Sequence, residues 1–331
     1  MSKYRNNLPQ LSNENFLTDG GLETTLVFKH GYDLPEFAAF DLFKHQEGFN
    51  TLKTYYRPYI HMALENRVNF ILESPTWRAS RDWGKKIGYN EKDLHEINRA
   101  AIDMLRDLRD KFEGQDSKLV ISGCIGPRGD GYKVNEKMSA DEAEKYHWTQ
   151  IDTFQKTDAD MVAAFTMNYA EEAVGITRAA NRAGMPVVIG FTVETDGRLP
   201  SGQPLGQAIE EVDRETFHGP AYYMINCAHP SHFKSSLSEN ATWLERIQAI
   251  RANASAKSHA ELDEATELDP GDPLDLGRQY AALKCSLPHL NVFGGCCGTD
   301  HFHVGEIFKA IAPHHPIMNW DACEEHGMML H

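Results

Sequence analysis

Three cysteines stand where chemistry, more than packing, would use them. Cys227 ends the apolar run 222–225, and the adjacent pair Cys296 and Cys297 ends the run 291–293, set between Gly294–Gly295 and Gly298. Glycines there permit the backbone geometry that turns two adjacent side chains toward one centre. Three thiolates suit the borderline-soft Zn2+, and three protein ligands leave a fourth position open. Such a centre binds a substrate thiol, lowers its pKa and keeps it nucleophilic at neutral pH. Cys124, Cys285 and Cys323 lack comparable company and read as small buried apolar residues. A disulfide between the vicinal Cys296 and Cys297 would be strained.

The elements that must hold these residues follow from the pattern of apolar runs. Eight short runs occur, at 16–18, 68–72, 119–122, 161–165, 187–191, 222–225, 247–250 and 291–293. Near-continuous apolar stretches of that length suit parallel strands buried on both faces. Most are followed by helical periodicity. Leu52, Tyr55, Tyr56, Tyr59, Ile60 and Ala63 form one stripe, with Pro58 expected to bend it, and Leu94, Ile97, Ala101, Met104, Leu105 and Leu108 form another. Strand–helix alternation repeated eight times predicts a closed parallel (β/α)8 barrel over a single domain, residues 1–331. Neither GxGxxG nor GxxxxGK[ST] follows an early strand, which weakens an open nucleotide-binding sheet. Residues 194–217 and 253–274 are polar and follow strands, so they are expected to be long loops on the catalytic face. Runs six and eight flank run seven in such a barrel, so all three cysteines converge at the C-terminal ends of the strands.

Composition narrows the function classes. A hydrophobic share of 41% and a charged share of 24% are globular values, sufficient for a large core. A net charge of −15 repels phosphate backbones and anionic lipid, so no nucleic-acid or membrane partner is expected. Residues 1–10 are polar and lack the apolar segment of a signal peptide, and no apolar stretch is long enough to span a bilayer. A cytoplasmic protein with reduced cysteines is the expectation.

At this point Asp19–Gly20–Gly21–Leu22, Asn226–Cys227 and Gly294–Gly295–Cys296–Cys297–Gly298–Thr299 resemble the homocysteine S-methyltransferase family, from Asp19 to about His303. The separated Asn-Cys and Gly-Gly-Cys-Cys elements carry the specificity. The resemblance implies a (β/α)8 barrel with Cys227, Cys296 and Cys297 as zinc ligands, and a homocysteine thiol that attacks a donor methyl group. It also implies that Asp19 helps hold the ammonium of homocysteine. An onium donor such as a betaine or a sulfonium would need no second cofactor. The alternatives are a zinc enzyme acting on another thiol or methylated substrate, and a non-catalytic zinc- or thiol-binding barrel.

Further polar residues at strand ends are candidate substrate contacts: Glu73, Trp77, Arg78, Glu194 and Asn226, with Arg128 and Asp130 behind them. Trp77 offers an aromatic face to a cationic donor. His229, His232, His301 and His303 lie near the cysteines in sequence but read as structural. Phe165 departs from the family pattern, because relatives carry a glutamate there that assists Asp19. A phenyl ring cannot accept a hydrogen bond from an ammonium. Either another carboxylate substitutes, with Glu73 and Glu194 in view, or the acceptor is not homocysteine.

Overall fold

Eight short strands close on themselves in chain order, each paired in parallel with the next, and β8 with β1. They are β1 Phe16–Leu17, β2 Asn69–Glu73, β3 Leu119–Ile125, β4 Met161–Met167, β5 Val187–Phe191, β6 Tyr222–Asn226, β7 Ile247–Ala252 and β8 Val292–Gly295. This computed structural model describes residues 2–238 and 241–312. Every apolar run becomes a strand, and the barrel is the expected (β/α)8 form. β3 runs three residues further than expected, to Ile125, and β7 continues past Ile250 and carries Arg251 into the closed sheet.

Long helices follow seven of the strands: Gln46–Glu65, Glu91–Phe112, Ala140–Gln155, Ala170–Arg182, Leu205–Thr216, Pro273–Ser286 and His301–Ile311. The helix Gln46–Glu65 continues through Pro58 and buries Tyr55, Tyr56, Tyr59 and Ile60. After β6 the pattern thins to the short helix Pro230–Phe233 and two 3-10 turns. That thinning leaves the cleft side beside Cys227 to loops.

Two apolar layers hold the fold. Phe16, Ile71, Val120, Met161, Val188, Tyr222, Met224 and Val292 fill the barrel interior. A larger layer, including Leu72, Ile121, Phe191, Tyr223, Ile250 and Phe293, packs the outside of the sheet against the helices. The lower barrel interior is therefore filled, and the cleft opens above it, at the C-terminal ends of the strands.

The last helix shows how the chain aims the β8 loop. Asp300 Oδ1 accepts from the N–H groups of Phe302 and His303, and Oδ2 pairs with Lys29 from the turn after β1. Against partial burial, His303 and Lys29 hold this carboxyl well below the usual carboxylate range. Asp300→Ala should cost about 1–2 kcal/mol of unfolding free energy, the usual worth of an N-cap. Because the folded pKa is depressed, this contribution is complete well above about pH 4 and fades as pH falls toward the folded value. Urea unfolding of both proteins at pH 7 and pH 3 checks it; an equal difference at the two pH values would contradict the role given to the charge.

Candidate metal centre

The three cysteines meet. Cys227 leaves β6, Cys296 and Cys297 leave β8, and their sulfurs all lie within 4.8 Å of one another. A four-coordinate zinc with bonds of about 2.3 Å spaces its sulfurs about 3.8 Å apart, so the cluster has the size and the donor type for such an ion. Among the described residues no other group of His, Cys, Asp or Glu is placed to hold a metal.

The same closeness lets two of the three sulfurs pair with each other in this structure. Cys227 and Cys296 are joined as a disulfide, Cys297 remains free, and Cys285 is also disulfide-bonded. The 5.3 Å between the Cα atoms of Cys227 and Cys296 is an ordinary disulfide span. The convergence that suits a metal also suits a sulfur–sulfur bond. Two electrons and two protons must be supplied before both sulfurs can act as ligands. Cys323 lies outside the described residues, and Cys124 is buried and free in the cleft floor.

Backbone strain marks the ligand end of β6. Cys227 has φ of 54°, and Thr166 at the end of β4 has φ of 63°. Left-handed non-glycine residues cost about 1–3 kcal/mol each and persist only where their surroundings hold them. The surroundings are visible. The Cys227 N–H donates to the Arg251 carbonyl, while its own carbonyl accepts from Asn253 Nδ2 at 3.0 Å and sits 2.6 Å from His259 Nε2. Asn226 accepts from the Thr166 N–H at 2.9 Å and donates to Thr166 Oγ1 at 3.0 Å, filling a register shift between β4 and β5. The Thr166 hydroxyl then donates to Cys227 Sγ at 3.8 Å. Asn226 thus shapes the ligand loop while still lining the cleft. On the other side, Gly298 adopts φ of 80°, and a Cβ on Gly21 would stand 2.5 Å from the Cys296 carbonyl oxygen. The Asp-Gly-Gly turn after β1 is glycine-rich because the Cys296 backbone occupies the space of a side chain.

A cleft of about 430 Å3 opens beside the sulfurs, an ordinary size for a small-molecule site. Asp19, Glu73, Trp77, Arg78 and Asn226 from the sequence candidates all line it; Glu194 does not. Glu194 instead meets His259 Nδ1 at 3.2 Å, bracing the histidine that supports Cys227. Asp19 has fixed partners, with Oδ1 2.7 Å from Arg251 Nη2 and Oδ2 accepting from the Tyr55 hydroxyl at 3.0 Å. Arg251 also donates to the carbonyls of Gly295, Asp19 and Gly20, tying the ends of β7, β8 and β1 together. It keeps its proton against burial because Asp19 and Glu73 face it. Burial pushes the Glu73 carboxyl up to about 7, and its Oε2 has no hydrogen-bond partner.

Arg78 is 7% exposed, with its guanidinium 3.9 Å from the Trp77 ring and 3.5 Å from the Trp83 ring. One face of Trp77 is therefore already taken by a cation from the chain itself. The histidines fall outside the centre: His303 caps its helix, His232 bonds the Ala256 carbonyl, and His229 caps Pro230–Phe233. Arg128 pairs with Asp82, and Asp130 organises the turn at Tyr132.

Arg251, Tyr132 and His259 are functional neighbours not singled out from the sequence. Arg251 left a signal, a charged residue directly following the apolar run 247–250. Tyr132, whose hydroxyl is 4.0 Å from Cys297 Sγ, and His259, which packs on the Tyr132 ring, come from loops and left none.

Comparison with known proteins agrees with this geometry. Residues 16–311 match a family model described as homocysteine S-methyltransferase. Betaine–homocysteine S-methyltransferase 1 of Rattus norvegicus is 24% identical over 85% of this chain, which spans 65% of that enzyme's length. Methionine synthase of Mycobacterium tuberculosis is 24% identical over 66% of the chain and 18% of its own. The homocysteine methyltransferase MmuM from Escherichia coli, solved in oxidised and metallated forms, shares the barrel. Its metallated form superposes with a TM-score of 0.68 at 16% identity, over 89% of this chain and 96% of its own.

Proposed function

Because the chain belongs to the homocysteine S-methyltransferase family, we propose that it is a zinc-dependent thiol S-methyltransferase, moving a methyl group from an onium-type donor to homocysteine or a related small thiol. The carrying observation is the meeting of three sulfurs within 4.8 Å beside the cleft. Zinc held by Cys227, Cys296 and Cys297 would supply Lewis acidity that lowers the pKa of an acceptor thiol and keeps it nucleophilic. The remaining work belongs to the chain. Arg251 and Asp19 lock three strand ends around the centre, and Asn226 with Thr166 sets the Cys227 loop. Tyr132 and residues of the loop 253–274 line the cleft, where they would limit the access of bulk water to the acceptor thiol. Asp263, Glu267 and Asp269 line the cleft from that loop, the first and last paired with Lys133 and Lys257, which leaves Glu267 as the acid of this edge that would face a cationic donor.

We read residues 1–331 as one barrel unit in the cytoplasm, where reducing conditions open the Cys227–Cys296 bond. No described helix is long and apolar enough to cross a membrane. The test is a screen of reduced, zinc-loaded protein with small thiols against S-methylmethionine, S-adenosylmethionine and glycine betaine, read by mass spectrometry. Methyl thioether should form with at least one pair. X-ray absorption should show the sulfur count around zinc rise from three to four when the acceptor is added. Turnover of an acceptor with the count fixed at three would rule out activation of the thiol at the metal.

A further inference from the structure

The far end of an acceptor thiol must meet whatever charge the cleft leaves free. In the corner under Phe165 both carboxyls already have a cation. Asp19 faces Arg251 and Tyr55, and Glu73 faces the same guanidinium, which three backbone carbonyls hold in place. The Phe165 ring, 5.0 Å from that guanidinium carbon, adds no acceptor.

The edge beside Cys297 differs. Glu23 lines the cleft from the turn after β1, and it makes no hydrogen bond or ion pair with another residue among the described ones. Its place is set by its neighbours in the chain. The Thr24 hydroxyl accepts from the Gly298 N–H at 3.1 Å, and the Gly21 N–H donates to the Thr299 carbonyl at 3.0 Å. The turn is thus fastened to the loop after β8 on both sides of Glu23, whose carboxyl is an electrostatic neighbour of Cys297. Burial raises that carboxyl to about 7, and an entering ammonium would restore its charge.

Arg78 is its complement. It is more than nine-tenths buried, and its Nε has no hydrogen-bond partner. Its hydrogen bond from Nη1 to the Gly129 carbonyl is a long one, at 3.3 Å. The rings of Trp77 and Trp83 hold its plane. Glu23 and Arg78 feel each other's charge without forming an ion pair. A carboxylate and a guanidinium left apart in one cleft are what the head group of an amino acid completes, its ammonium on the first and its carboxylate on the second. A short side chain then reaches the sulfurs, because Arg78 also neighbours Tyr132, whose hydroxyl is 4.0 Å from Cys297 Sγ.

We propose that Glu23 receives the α-ammonium group of the acceptor and Arg78 its α-carboxylate, so that the pair selects an amino-acid thiol such as homocysteine. Glu23 thereby supplies the carboxylate that Phe165 cannot. This rests on the reading of the three-cysteine centre as a thiol methyltransferase site.

Calorimetry on reduced, zinc-loaded protein compares L-homocysteine with 4-mercaptobutanoate, which lacks the ammonium, and 3-mercaptopropylamine, which lacks the carboxylate. Homocysteine should bind at least about tenfold more tightly than either, the worth of a hydrogen bond to a charged group. Glu23→Gln should weaken homocysteine and 3-mercaptopropylamine by about the same factor and should not weaken 4-mercaptobutanoate. Arg78→Gln should do the reverse, weakening homocysteine and 4-mercaptobutanoate and sparing 3-mercaptopropylamine. A Glu23→Gln loss equal for all three ligands would mean that the carboxyl only supports the ligand loop, and would overturn the proposal. So would an ammonium preference that survives Glu23→Gln and disappears in Glu73→Gln. A second arm uses reduced, metal-free protein with methionine, 4-(methylthio)butanoate and 3-(methylthio)propylamine, which need no zinc. The same two patterns of loss should hold there, and their absence would overturn the proposal independently. If no thiol prefers zinc-loaded over metal-free protein, the methyltransferase reading itself fails, while the thioether arm still decides which residue holds the ammonium.

Discussion

Replacing any one of Cys227, Cys296 or Cys297 with Ala should remove tight zinc binding and methyl transfer together, while Cys124→Ala leaves about one zinc per chain. The expectation follows from geometry. The three sulfurs form the only metal-sized cluster among the described residues, and no histidine stands ready to replace a lost one. Two remaining thiolates neutralise a dication without fixing its geometry, and water fills the other positions. The loss should exceed the roughly 10–100-fold that follows removal of a mere supporting group at a metal site. Cys124 is the matched control, being a cysteine of the same cleft that hydrogen-bonds through its backbone to Ser74 and is absent from the cluster. Metal analysis of fully reduced protein after dialysis checks the prediction. Reduction matters, because the Cys227–Cys296 bond leaves a single free thiol at the centre. A zinc shell without sulfur in X-ray absorption would sink the assignment outright.

Much of this was legible in the chain because the barrel is built from local signals. Each apolar run, such as 119–122 or 187–191, is too short for a helix and too continuous for a surface strand, so its burial on two faces could be read directly. The cysteines were legible for the same reason, since a residue at the end of a parallel strand has only one face of the barrel to occupy. What escaped was decided by partners distant in sequence. Asp19 reads as a free carboxylate until β7 brings Arg251 to it across 232 residues. Asn226 reads as a substrate contact alone, and only the irregularity at Thr166 reveals that its amide also fastens the β4 end. Glu194 reads as a cleft residue until the loop after β7 delivers His259 to it. The disulfide had no sequence signal beyond the proximity that also predicts a metal.

The opposite end of the barrel carries the second large effect. Asp160→Ala should lower unfolding free energy by about 3–5 kcal/mol, the usual cost of stripping one partner from a buried ion pair. Asp160 is fully buried just before β4, at the N-terminal face. Its Oδ1 accepts from the backbone N–H groups of Lys3 at 2.8 Å and Tyr4 at 2.7 Å. Its Oδ2 accepts from Arg109 Nη1 at 2.8 Å and from the Ile121 N–H at 2.9 Å. One carboxylate thus pins the N-terminal arm, a helix and β3 to the barrel floor. Alanine leaves the Arg109 cation without its partner in a site 4% exposed, with three N–H groups unpaired beside it. Arg5, which donates to the carbonyls of Gln155, Thr157 and Ala159, should hold the arm only in part. Asp160→Asn should fall between the two, because an amide can accept on one side while its NH2 group opposes the donors on the other. Zinc content should not change, since active residues in such barrels gather at the other face. Denaturant unfolding with parallel metal analysis decides the matter. A loss below about 1 kcal/mol would mean that the arm relaxes and water takes over the freed donors. Loss of zinc from a variant that remains folded would mean that the two faces are mechanically coupled, contrary to the separation drawn from the packed interior.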